Sequence, residues 1–80
     1  MNFDQYVDEL EKTGKNTRFS RLLTICTEVF GDPRIRGSHH YFSMPWAGEP
    51  IINIQPLKGG KAKGYQVKEV IKALKKMHTD

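Results

Sequence analysis

A single cysteine, Cys26, supplies all the thiol chemistry in these 80 residues. That excludes an internal disulfide and leaves no cysteine set for a structural zinc. Long apolar runs are missing as well. Nothing approaches the ~20 residues that a membrane span requires, and no basic, apolar-cored leader opens the chain. A cytoplasmic protein with no membrane attachment is the expectation. The long polar tracts of disordered chains are absent too, and 38% hydrophobic residues suffice for one core. That core must be thin, because a domain this small buries only about 60% of its unfolded surface. No repeat or internal boundary breaks residues 1–80, so one domain is expected.

What the chain does have is positive charge, unevenly spread. Its net charge is +4. Residues 1–30 carry four Lys and Arg against five Asp and Glu, whereas residues 31–80 carry nine against four. The basic half suits a polyanion partner, most often nucleic acid. Lysines that merely solvate a surface helix are the plainer reading.

Apolar periodicity orders the elements. Phe3, Tyr6, Val7 and Leu10 recur at helical spacing, and Thr13-Gly14 ends that helix at about residues 2–13. Asn16 or Thr17 is the expected cap of a second helix, with a stripe of Phe19, Leu22, Leu23, Cys26, Val29 and Phe30 that stops at Gly31. Cys26 on that stripe reads as core. Asp32-Pro33 signals a turn. Three strands then follow at 34–36, 39–45 and 51–55, with Gly37-Ser38 as a tight turn and "WAGEP" as the second hairpin loop. Pro56 ends the sheet. After "KGGKAKGYQ", residues Val67, Val70, Ile71, Leu74 and Met77 mark a final helix. The fold class is therefore α+β, in the order ααβββα, with a three-stranded antiparallel sheet and its helices on one face.

Strand parity separates the two faces. Phe42 and Met44 share one, and His39, Tyr41 and Ser43 share the other. With the apolar pair inward, His39 and Tyr41 lie on the open face or its rim. His40 points inward at the strand's start unless the edge lets it escape.

A histidine amid Arg and Lys on an exposed sheet is chemically suggestive. Histidine side chains exchange protons near neutrality, with an ordinary pKa of about 6.5. A neutral imidazole accepts the proton of an RNA 2′-hydroxyl, whose oxygen then attacks the adjacent phosphate. The products are a 2′,3′-cyclic phosphate and a free 5′-hydroxyl, and the route needs no metal or other cofactor. The plainer role for such a histidine is a turn hydrogen bond. Residues 58–66 form a second constellation, with mobile glycine amides and lysines just before a helix, which suits a phosphate. A flexible connection with solvated charge fits equally well, and the spacing is not that of a nucleotide-binding loop. Trp46 is placed to stack on a base, to cover the sheet's end or to meet a protein partner. A metal site is not expected, because adjacent His39 and His40 point apart on a strand.

At "GSHHYF", then "INIQP", then "GGKAKGYQVKEVIKAL", the chain resembles the HicA family of small toxins from bacterial toxin–antitoxin pairs. The likeness spans roughly residues 17–77. It rests on Gly37-Ser38-His39, on Phe42 three residues later, on the strand ending at Pro56 and on the run 61–66 entering the last helix. It implies a fold like that of double-stranded-RNA-binding domains. It also implies endoribonuclease activity on messenger RNA that depends on the motif histidine, here His39, and masking by a cognate HicB-like antitoxin. Antitoxins of that kind commonly carry a DNA-binding part, so DNA enters only indirectly.

Two departures accompany the likeness: the acidic first helix is an addition, and the segment after Pro56 is shorter, with Lys58 where another polar residue often stands. On this reading His39 is the general base, and Gly37 and Ser38 set its approach to RNA. Lys61, Lys63 and Tyr41 complete the RNA-binding set, with Tyr41 or His40 as candidate acids. Two other classes stay open: a non-catalytic RNA-binding module, and a structural partner whose sheet face is simply an interface.

Overall fold

A computed structural model describes residues 3–44 and 51–79. The first helix, α1 (Phe3–Thr13), has Asp4 in its first turn and Lys12 in its last, each suited to the helix dipole there. Gly14, at φ 48°, turns the chain out of it into a short 3-10 turn, Gly14–Asn16.

The second helix, α2 (Phe19–Phe30), starts differently from the expectation of an Asn16 or Thr17 cap. Arg18 precedes it in extended conformation and makes no side-chain cap. Thr17 is buried and bonds backward instead, its hydroxyl 2.7 Å from the Gly14 carbonyl and 2.5 Å from the Thr13 hydroxyl. The cap comes from a distant segment. The Phe19 N–H donates to the Gly60 carbonyl at 2.9 Å, and the Ala62 N–H donates to the Thr17 carbonyl at 2.8 Å. Backbone pairing across this junction satisfies a helix-end donor that a side chain usually satisfies. At the other end Gly31, at φ 91°, closes α2 as expected, its N–H bonding the Thr27 carbonyl.

Strands β1 (Arg34–Arg36), β2 (His39–Phe42) and β3 (Ile52–Ile54) form an antiparallel sheet in the order β1-β2-β3. The expected strands at 39–45 and 51–55 are thus shorter than the sequence suggests. The ladder closes at the Phe42–Ile52 pair, and the Gln55 N–H turns away to the Gln66 side-chain oxygen at 2.9 Å. Pro45 and the expected hairpin loop at residues 46–50, with Trp46, lie outside the described residues.

The last helix, α3 (Gly64–Thr79), begins within the run read as connection, so Gly64, Tyr65 and Gln66 form its first turn. There the Lys63 carbonyl accepts from the N–H groups of Gln66 and Val67. Gly64 lies against Lys15 of the 3-10 turn, where an added Cβ would meet the Lys15 side chain in ordinary contact at 3.5 Å.

Phe42 and Ile54 are fully buried on the sheet's inner face. They join Leu22, Ile25 and Cys26 of α2 with Val67, Val70 and Leu74 of α3 in one core. Ile25, which the sequence stripe omits, is as buried as Leu22. Burial pushes the Cys26 thiol up to about 12, so it stays protonated and behaves as a small hydrophobe.

Helix α1 belongs to this core. Leu10 is fully buried, Val7 nearly so, and α1 packs chiefly on α3. A polar clasp ties it to α2. Arg21 grips the Glu9 carboxylate through Nε at 2.6 Å and Nη2 at 2.9 Å, and lies over the Tyr6 ring. The Tyr6 hydroxyl donates to Glu28. No described helix is long and apolar enough to cross a membrane.

Candidate active site on the open sheet face

Pairing register decides which side chains meet. Arg36 stands opposite His39, Arg34 opposite Tyr41, and Tyr41 opposite Asn53. Because Phe42 and Ile54 face the core, all five of these residues share the outer face. Directly opposed side chains in such a ladder have Cβ atoms ~4.5–5.5 Å apart, close enough to act together.

The Gly37-Ser38 turn sets the register. Gly37 has φ 60° and no other residue of the turn has positive φ, the sign pattern of a type II′ hairpin. A two-residue turn of this kind forces Arg36 and His39 to face each other.

His39 is half-buried, with its Nδ1 3.1 Å from the Asn53 side-chain oxygen. That oxygen can only accept, so Nδ1 carries the hydrogen and donates. In the neutral ring the lone pair is then on Nε2. The Tyr41 ring lies nearly parallel to the imidazole, with centroids 5.9 Å apart and planes 13° apart. The imidazole is therefore held on one side by an amide and on another by an aromatic ring, with a guanidinium-bearing residue across the strand pair. Such a group can accept a proton through Nε2, and the nearby guanidinium can steady negative charge that develops on the group giving it up.

His40 has another task. Its Nδ1 donates to the Ser38 carbonyl at 3.2 Å, and its ring meets Phe19 edge-on at 5.0 Å. It packs on the helix side, as parity requires, across the sheet from His39. This removes it from reach as a general acid.

The two lysines expected to help are not brought to His39. Lys61 donates to the Asn16 side-chain oxygen at 3.3 Å, and Lys63 lies 6.0 Å from the Tyr65 ring centroid. The glycine loop is also tied rather than mobile. Gly60 donates to the Leu57 carbonyl, Leu57 to the Lys61 carbonyl and Ala62 to Thr17. Backbone pairing takes the amides of Leu57, Gly60 and Ala62 away from any phosphate.

The structure thus unites His39 and Tyr41 behind Gly37 and Ser38, and adds Arg34, Arg36 and Asn53. The signal for these three is parity. "RIR" puts its arginines on one face, and Asn53 alternates with two isoleucines in "INI". Among the described residues no group of three or more His, Cys, Asp or Glu is placed to hold a metal. Compared with known proteins, the chain matches no family model, no curated protein and no solved structure.

Proposed function

We propose that the protein is an endoribonuclease that cleaves messenger RNA, the toxin of a cytoplasmic toxin–antitoxin pair of the HicA kind. The observation that carries the reading is the His39–Asn53 hydrogen bond, which leaves the Nε2 lone pair free on an arginine-flanked face. Nε2 takes the proton of a ribose 2′-hydroxyl. The 2′-oxygen bonds to the adjacent phosphorus, and the bond from phosphorus to the 5′-oxygen breaks. Arg36, across from His39, steadies the charge on the phosphoryl oxygens. The leaving 5′-oxygen takes a proton from an acid, for which Tyr41 beside the imidazole is the candidate. The products are a 2′,3′-cyclic phosphate and a 5′-hydroxyl. A HicB-like antitoxin silences the enzyme by covering this face.

The test is to incubate wild-type and His39→Ala protein with defined RNA in EDTA and map the ends. General-base catalysis is worth about 10²–10⁴-fold, and His39→Ala should lose that much while keeping its fold. Equal cleavage by a folded His39→Ala protein would remove the mechanism. Binding without cyclic-phosphate ends from wild type would favour a non-catalytic RNA-binding module.

A further inference from the structure

The outer face is longer than the chemistry at His39 requires. Arg34 and Arg36 are two residues apart on one strand face, which separates them by ~6.7 Å. Successive phosphates of an extended nucleic-acid strand are spaced similarly. Each arginine has a ring directly opposite, His39 facing Arg36 and Tyr41 facing Arg34. Beside these rungs a recess of about 160 Å³ is lined by Arg34, Arg36, Tyr41 and Ile51. Ile51 is 51% exposed, an apolar wall without a cover from the described residues. Guanidinium groups grip phosphate oxygens in pairs, and an aromatic face beside them stacks on any base.

We infer that this face binds two consecutive nucleotides of single-stranded RNA, one to each rung of the β1–β2 ladder. The scissile phosphate lies at the Arg36–His39 rung. The neighbouring nucleotide lies at the Arg34–Tyr41 rung, with its phosphate on Arg34 and its base in the recess against Tyr41 and Ile51. The assignment of the scissile position rests on the ribonuclease reading of His39; the two-rung binding face does not. It also names the substrate class. A base inside a duplex is stacked and paired and cannot enter the recess, so the strand must be unpaired there.

The test uses a fluorescent oligoribonucleotide with every 2′-oxygen methylated, which cannot be cleaved by this route, as a single strand and as a duplex. Anisotropy titrations over a range of salt compare wild type, Arg34→Gln, Tyr41→Leu and, on α3, Lys72→Ala. Thermal melts check that each variant is folded. Cleavage of unmodified RNA is followed in parallel. Wild type should prefer the single strand, and Tyr41→Leu should bind it about tenfold more weakly, within the range for one lost stack. Arg34→Gln should also weaken binding and flatten the logarithmic salt slope by about 0.7, the value for one single-strand phosphate contact. Lys72→Ala should match wild type.

Wild-type affinity in folded Arg34→Gln or Tyr41→Leu, a preference for duplex, or no binding by wild type would each overturn the inference. If those variants lose affinity while wild type never cleaves RNA, the binding face stands and the ribonuclease reading fails. If wild type cleaves but the variants bind normally, the reverse holds.

Discussion

The division of labour between adjacent histidines follows from a period of two. His39 and His40 are chemically identical, yet one faces an amide, a tyrosine and an arginine-bearing strand, and the other faces Phe19. Asn53 is the residue through which the geometry acts on His39. Replacing it with alanine removes the acceptor that keeps hydrogen on Nδ1, at a net cost of about 1 kcal/mol for one hydrogen bond. If that bond is made in the transition state, cleavage slows about fivefold. Nitrogen NMR of the His39 ring should show the Nδ1–H tautomer losing its dominance in Asn53→Ala. An unchanged tautomer in that variant would mean the amide does not orient the ring. The placement of His39, Tyr41 and His40 was legible in the sequence because alternation and one tight turn suffice for it. Asn53 and the arginines obey the same alternation, but "INI" and "RIR" are three residues each, too short to stand out as pattern before the register is known.

At the scale of elements, the clasp between α1 and α2 makes a pH prediction. The Arg21 side chain, bonded twice to Glu9, holds that carboxyl below the usual glutamate range. A lowered folded-state pKa means the contribution is present above the unfolded pKa of about 4.3 and is lost as pH falls through the lowered value. Both partners are substantially solvent-exposed, so the pair is worth about 0.2–1 kcal/mol. Glu9→Gln should lower the melting temperature slightly near neutrality and converge with wild type in acid, as melts from neutral pH downward would show. Parallel curves at every pH would assign the acid sensitivity elsewhere. The helices themselves were readable from their apolar spacing, but the cap of α2 was not. Backbone pairing between residues 17–19 and 60–62 has no periodicity and no side-chain signature, so a local rule pointed to Asn16 or Thr17 where a distant carbonyl does the work.

For the whole molecule, the decisive question is what α1 is for. Beside a HicA-like pattern that covers residues 17–77 it looks like an addition, yet Leu10 is fully buried in the core that also holds Phe42 of the sheet. A domain of 80 residues has roughly 4–12 kcal/mol of stability at the usual per-residue range. Truncating a buried leucine to alanine costs about 2–5 kcal/mol, a large fraction of that total. Leu10→Ala should therefore move the urea midpoint sharply downward with little change in slope. His39 lies on the face away from the helices, so on the proposed ribonuclease function folded Leu10→Ala protein at low temperature should cleave RNA at the wild-type rate. A variant that keeps its stability but loses cleavage would instead make α1 part of the substrate path. Loss of stability alone makes it a structural wall of the domain, and removing residues 1–13 should then unfold the protein rather than yield a smaller folded domain.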